Sequence, residues 1–417
     1  MNEKLATEKK IFVYIETEVQ FDSIAPLLAH LRDKRKAPFD IVVPADEGGV
    51  NEEIFDEAAK LIRKHGFSVN RQVTETLKSS EYQILLSPYI YHWQYYEIKA
   101  KYFIQYTYGS YYFNKPNWNI NRLLTEEYLA DAVLSHAAGT QAAVDVVSKS
   151  YITPELRLSN FSRRIKDPSE KPTILFVPTY NDMDFATRLL EVIDELKEEY
   201  HILLRGHHRV VHVDENKGKV AKLYDKADKV YDISEHTIKT PLEEADIVVS
   251  DNSSAFLEAI SVGIPVALFS RDPNVFKYRE INSVQYNLVQ RGDILWTDDP
   301  QELPSIINKT LSKSMIEKQR KMSLGLFPDR FPDPIGRYME VLDIYLNDKL
   351  PPEYRLVKKY WIERIDGLVS DNDAMQSRVQ ELESELAARY IEMRSYLGIK
   401  RSVRLLVGNI KRKILKR

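Results

Sequence analysis

A polar turn, Ser250-Asp251-Asn252-Ser253-Ser254, interrupts an otherwise apolar stretch between Ala245 and Ser270. Before it runs a β-branched strand pattern, Ile247-Val248-Val249. After it Leu257 and Ile260 recur at helical spacing, Gly263 closes the helix, and Ile264-Pro265-Val266-Ala267-Leu268-Phe269 reads as a second buried strand. Strand, turn, helix and strand in that order set small hydroxyls and free backbone N–H groups at a helix N-terminus, at the carboxyl end of a parallel strand. Unpaired donors and aligned peptide dipoles favour an anion there. In open α/β sheets ligands also bind at that end of the strands. The same residues suit an ordinary serine N-cap, which is the plainer alternative.

The elements that would carry this turn are legible along most of the chain. Strand patterns fall at Ile11–Ile15, Phe39–Val43, Gln83–Leu86, Tyr102–Tyr106 and Ala132–Leu134, with helices near 21–33, 51–65 and 137–149. A polar stretch, Ser159–Pro172, reads as a linker. The alternation then restarts, with strands at Thr173–Val177, Ile202–Leu204, Lys229–Tyr231, Ile247–Val249 and Val266–Phe269. The expected fold is therefore α/β, with two Rossmann-like doubly wound domains at 1–160 and 170–348. A chain of 417 residues has room for both and for an appendage, since single cores rarely grow past about 250–300 residues.

The appendage has its own pattern. Beyond Pro351-Pro352, the residues Ile365, Leu368, Asn372, Met375, Val379, Leu382 and Leu386 follow alternating spacings of three and four. Asn372 then occupies a buried polar position of the kind that fixes register, so 355–397 reads as a coiled-coil helix and a route to a homodimer, with a helix packed back on the body as the alternative. Residues 399–417 carry eight basic and no acidic side chains; with a whole-chain charge of −3, the rest of the protein stands at −11. Ile399, Val403, Leu406, Val407, Ile410 and Ile414 line one face of this segment. Residues 398–417 thus read as a basic amphipathic helix for an anionic membrane surface, with a solvated terminus or a nucleic-acid tail as the alternative. An acidic body argues against nucleic acid as a general partner. The absence of cysteine excludes disulfides and thiolate-bound zinc, and fits a reducing compartment. No apolar run approaches the roughly 20 residues of a membrane span, and Met1 leads directly toward a strand without a signal peptide. The expectation is a soluble cytoplasmic protein, peripheral on the inner face of the cell membrane.

Several stretches in order resemble the CDP-glycerol glycerophosphotransferase family, which primes and polymerises teichoic acids and related capsular polymers. Thr173–Asp182 looks like that family's strand ending in a Pro-Thr turn, here Pro178-Thr179. His201–His208 is similar to its strand leading to a His-Pro, with Arg205 and His207 at the end. Asp246–Ser254 resembles its aspartate, strand and Asp-Tyr-Ser-Ser, and Gly263-Ile264-Pro265-Val266 its helix end and next strand. The resemblance implies a GT-B-like fold, a CDP-alditol donor bound mainly by the second domain, a polymer or lipid-linked acceptor, and no metal or cofactor. It further implies that His207 contacts the donor phosphates and that Ser253 and Ser254 hold the pyrophosphate. Asp251 would orient the turn, with Asn252, Arg205 and Thr179 beside the phosphates. Electrostatically, hydroxyls, N–H groups and an imidazolium suit a diphosphate that gains charge in the transition state. Arg205 could equally be a structural ion pair. His207, His208 and His212 cluster, but no carboxylate follows before Asp214, and a metal site is not expected.

One departure stands out. The family's base is a histidine in a His-Gly pair of the first domain, and Tyr108-Gly109 stands there instead. A phenol with pKa near 10 is a poor base at neutral pH unless strongly shifted. His92 or His136 could replace it, Tyr108 could position a substrate, or activity could be lost. Tyr89, Tyr91, Trp93, Tyr95, Tyr96, Tyr102, Tyr106, Tyr108, Tyr111, Tyr112, Phe113 and Trp118 crowd the same region and suggest an acceptor groove, with core packing claiming some of them. Two rival functions stay open. One is a GT-B glycosyltransferase using a nucleotide sugar, with Glu258 either near a ribose or on a solvated helix face. The other is a non-catalytic, membrane-tethered relative.

Overall fold

Uninterrupted apolar runs are what a parallel strand covered on both faces requires, and each of the strongest runs in the chain forms one. The computed structural model describes residues 9–350 apart from 35–36, 46–50, 89–97, 107–129, 137–148, 168, 179–182, 207–220, 233–235, 252, 254, 271–287 and 328–332. The chain divides after Arg355 into two units, and all described residues belong to the first. The coiled-coil, tail and dimer expectations for 355–417 therefore lie outside the described residues. So does the helix expected at 137–148; Lys149, its last residue, instead opens a strand.

The first lobe is a parallel sheet of β1 (Ile11–Tyr14), β2 (Phe39–Val42), β3 (Glu81–Ser87), β4 (Lys99–Tyr106), β5 (Ala132–Ser135) and β6 (Lys149–Ile152), in the order β2-β1-β3-β4-β5-β6. The second holds β7 (Thr173–Val177), β8 (His201–Leu204), β9 (Lys229–Val230), β10 (Ile247–Ser250), β11 (Val266–Phe269) and β12 (Leu295–Thr297), in the order β12-β11-β10-β7-β8-β9. Counted from β7, the second sheet has the Rossmann order, and its direction of winding reverses between β7 and β10. In the first sheet the reversal falls between β1 and β3. Two doubly wound lobes are thus present, as the sequence implied. β6 and β12 are additions: their patterns (Lys149-Ser150-Tyr151-Ile152 and Leu295-Trp296-Thr297) are too short and mixed to stand out.

Alternation along the central second-lobe strands β7, β10 and β11 divides that lobe's core. Leu175, Val248 and Val266 face Phe256, Leu257 and Ile260; Ile174, Phe176, Val249 and Phe269 face Phe185, Leu189 and Ile193 on the other side. Among the helices used below, α1 (Glu18–Asp33) follows β1, α2 (Ala255–Ser261) follows β10, and α3 (Lys313–Leu326) and α4 (Pro334–Leu346) close the unit. α4 packs on the first lobe, although it follows the second in sequence. Its Tyr338, Val341, Leu342 and Tyr345 join Ile11, Val13, Ile84 and Tyr102 in one core. Among the described residues no helix is long and apolar enough to cross a membrane.

The stretch 159–172 is fastened to the second lobe. Ser162 N–H donates to Glu243 Oε1 (3.1 Å), Arg164 N–H to Glu243 O (2.8 Å), and Lys166 Nζ lies 2.6 Å from Asp246 Oδ2. Just before it, a 3-10 turn at Leu156–Leu158 joins the lobes, with Leu156 in the first core and Leu158 in the second.

Candidate functional site

The turn after β10 lies where the second sheet reverses its winding, the position at which open α/β sheets bind ligands. β10 is buried throughout, and Ser250 Oγ donates to Val177 O of the adjacent β7 (3.0 Å), closing the end of the strand. The chain then turns on Asp251, whose Oδ1 accepts from Ser253 N–H (3.1 Å). Ser253 Oγ in turn accepts from Ala255 N–H (3.3 Å), at the start of α2. This is an i,i+2 bond that leads the turn into the helix, and the Ser253 O–H keeps a hydrogen to donate. Asp251 and Ser253 are 2% and 8% exposed. α2 ends as the sequence suggested: Gly263 takes φ +79° and its N–H donates to Ile260 O (2.9 Å).

Arg205 follows β8 on the same edge of the sheet. Its Nη2 donates to His236 O (3.2 Å), and a Cβ on the next residue, Gly206, would overlap the Tyr224 hydroxyl. Any larger residue there would have to displace the Tyr224 ring. Burial pulls the Arg205 guanidinium down to about 10; Glu258, Asp22 and Glu18 oppose that pull and Arg157 adds to it. It remains a cation at neutral pH. Asn252, Ser254, His207, Thr179, Tyr108 and His92 lie outside the described residues.

His136 is described, at the carboxyl end of β5, and is 8% exposed. Its Nδ1 is 3.0 Å from Thr153 O and its Nε2 is 3.4 Å from Glu155 Oε2. Both ring nitrogens are thus engaged inside the protein. Tyr102 and Tyr106, two of the aromatics read as a possible groove, are core side chains at 4% and 0% exposure. Tyr106 O–H donates to Tyr14 O (3.0 Å) and Tyr102 O–H to Asp348 Oδ1 (2.8 Å).

Glu258 corrects another expectation. It is no solvated helix position: it is 4% exposed on α2, and its Oε1 pairs with Arg157 Nη2. Burial pushes its carboxyl above the usual range, with Arg157 pulling the other way. Arg157 Nε also lies 3.4 Å from Glu155 Oε1. From the first lobe, Glu18 and Asp22 on α1 add charge at that sheet's own reversal point. Burial raises both carboxyls; for Asp22 the opposing influence comes from Arg157 and Arg205. Sequence reading missed Glu18, Asp22, Glu155 and Arg157. The usable signal was Thr17-Glu18-Val19-Gln20 directly after β1, a capping box whose bonds (Gln20 N–H to Thr17 Oγ1 and Thr17 N–H to Gln20 Oε1, both 3.3 Å) start α1 at the strand's carboxyl end. Among the described residues no cluster of His, Asp and Glu has the makings of a metal site.

Two Rossmann-like lobes with a charged polar turn at a sheet reversal define a GT-B-like protein. Solved structures share that fold. A Listeria monocytogenes protein assigned as a UDP-N-acetylglucosamine 2-epimerase matches with TM-score 0.57 at 13% identity, over 83% of this chain and 98% of its own. The wall teichoic acid polymerase TagF matches with TM-score 0.54 at 14% identity, over 82% and 88%. The Neisseria meningitidis UDP-GlcNAc 2-epimerase bound to UDP-GlcNAc matches with TM-score 0.52 at 12% identity, over 80% and 99%. Comparison with curated protein sequences finds no match. Residues 144–331 match the CDP-glycerol:poly(glycerophosphate) glycerophosphotransferase family, so the resemblance read from the sequence is shown over the lobe that carries the turn.

Proposed function

We propose that the protein transfers an alditol phosphate, with glycerol phosphate the first choice, from a CDP-alditol to a hydroxyl of a cell-surface polymer precursor. The acceptor oxygen bonds to the alditol phosphorus, the bond from that phosphorus to the bridging oxygen breaks, CMP leaves, and the hydroxyl proton passes to a base. The observation that carries this reading is the family match over 144–331, the lobe whose sheet reversal carries Asp251 and Ser253. On this reading the donor phosphates meet the N–H groups opening α2, the Ser253 and Ser254 hydroxyls, Asn252, Thr179, Arg205 and His207, while Asp251 holds the turn. His136, with both nitrogens engaged, serves the fold, which leaves Tyr108 and His92 as the candidate bases. Residues 355–397 would pair two copies, and 398–417 would hold the enzyme on an anionic inner membrane surface where a lipid-linked acceptor is displayed.

The test is CMP release from CDP-glycerol and from CDP-ribitol, with a lipid-linked acceptor in anionic vesicles. Transfer from either donor is expected, with Ser253→Ala and Arg205→Met each lowering kcat/KM about tenfold to a thousandfold. Removal of 361–417 should spare transfer to a water-soluble acceptor analogue and abolish it on vesicles. Asp251 and Ser253 are nearly inaccessible, so donor entry should also change hydrogen exchange of the amides opening α2. Silence with both donors, together with no binding of either, would remove the reading. Calorimetry with UDP and GDP in place of CDP and CMP would then decide for a nucleotide-sugar glycosyltransferase.

A further inference from the structure

The joint between the lobes carries a buried charge cluster that the phosphate-binding turn does not itself use. Three consecutive residues of the 3-10 turn point to three places: Leu156 into the first core, Leu158 into the second, and Arg157 between them. The Arg157 guanidinium reaches Glu258 on α2 with Nη2 and faces Glu155 with Nε at 3.4 Å. The other oxygen of Glu155 is 3.4 Å from His136 Nε2, and His136 Nδ1 meets Thr153 O at 3.0 Å. A run of buried charged contacts, two of them ion-pair approaches at 3.4 Å and not hydrogen bonds, thus leads from the carboxyl end of β5 in the first lobe to the first turns of α2 in the second. The side chains of Arg157, Glu258, Glu155 and His136 are all less than a tenth exposed. At its far end α2 is fixed by Ser323 of α3, whose hydroxyl donates to Ile260 O (2.7 Å).

Buried ion pairs add little net stability compared with well-packed apolar residues of the same volume, because desolvation offsets the attraction. What they do supply is a defined geometry, and a planar guanidinium spanning two carboxylates defines more of it than an ammonium can. We infer that Arg157 is a positioning residue: by bridging Glu155 to Glu258 it holds α2, and with it the donor turn, in fixed register against the first lobe. The inference rests on the transferase reading for its consequence in catalysis, and on geometry alone for its consequence in α2. A transfer that needs donor from one lobe and acceptor from the other is sensitive to such register, since an ångström of misplacement can cost about a hundredfold in rate.

The test uses the full chain with Arg157→Lys and Arg157→Met. The lysine variant keeps the charge and is expected to recover most of the melting temperature that the methionine variant loses. With active protein counted by the stoichiometry of CDP-glycerol binding, Arg157→Lys should lower kcat at least tenfold while the donor KM stays within about threefold. Amides of Ala255–Ser261 should exchange faster in Arg157→Lys, with those of β10 unchanged. A kcat within twofold of the parent, a donor KM rising in step with the loss of kcat, or unaltered exchange in α2 would each overturn the inference. If the parent chain itself transfers nothing from either donor, the functional reading fails, and the exchange measurement still decides whether Arg157 holds α2.

Discussion

Asp246 stands one residue before β10, and its carboxylate gathers donors from the approach to the second lobe. Oδ2 accepts from Thr173 N–H (2.8 Å) and from Lys166 Nζ (2.6 Å), and Oδ1 from Arg163 Nη2 (3.0 Å). Burial alone would raise its pKa; the hydrogen bonds from Lys166 and Thr173 and the Arg163 charge outweigh it and hold the carboxyl below the ordinary range. A carboxyl depressed in the folded state contributes stability that is present above its unfolded pKa, about 3.9, and is lost as pH falls through the folded value. Asp246→Asn should therefore destabilise the protein by about 2 kcal/mol at neutral pH, the scale of a hydrogen bond to a charged group. That deficit should shrink as the pH is lowered below about 4. Thermal melts of parent and variant from pH 7 to pH 3 read it directly, and a gap that stays constant over that range would show that the charge is not what holds the segment.

At the scale of elements, α4 is the piece whose place the chain order hides. Asp333 caps it through Gly336 N–H (2.9 Å), Pro334 sits in its first turn, and its apolar face is plain in Tyr338, Val341, Leu342 and Tyr345. Nothing in that amphipathic pattern says which sheet the face will cover. The match is made by polar ends that only a folded structure aligns: Tyr345 O–H donates to Asp131 O (3.1 Å), Tyr338 O–H to Pro154 O (3.2 Å), and Gln83 Nε2 to Tyr345 O (2.8 Å). Tyr345 has no exposed surface. Tyr345→Ala should cost about 3–5 kcal/mol and Tyr345→Phe about 1 kcal/mol in denaturant titrations, the difference being ring volume against the bonds of the hydroxyl. Equal costs would mean that the hydroxyl, and not the ring, anchors the helix. The same distinction explains what was legible beforehand. β7, β10 and β11 announce themselves because both faces are buried and every residue but the terminal Thr173 and Ser250 is apolar. The turn after β10 announces itself because Ser250 and the four polar residues that follow it interrupt that pattern. Arg157, Glu155 and Asp22 do not, because a charge buried at a joint looks in sequence like any solvated one.

For the molecule as a whole, the chain passes between the lobes twice, once through the 3-10 turn at Leu156–Leu158 and again between α3 and α4. The first passage is buried on both sides, and α4 completes a core that β1 began. The first lobe is completed by a helix that follows the second in sequence, so the second lobe is an insertion between two parts of the first. Their stabilities should therefore be linked, in contrast with domains joined by a bare exposed linker. Calorimetry on the full chain should show one principal transition for the two lobes. Leu156→Ala opens a cavity in the first core and Leu158→Ala in the second, each at about 2–4 kcal/mol, and linked lobes predict that either substitution lowers that same transition. Two resolved transitions, with Leu156→Ala moving one and Leu158→Ala the other, would show that the lobes melt independently. The register of α2 against the first lobe would then have to rest on the Arg157 bridge alone, without help from a shared fold.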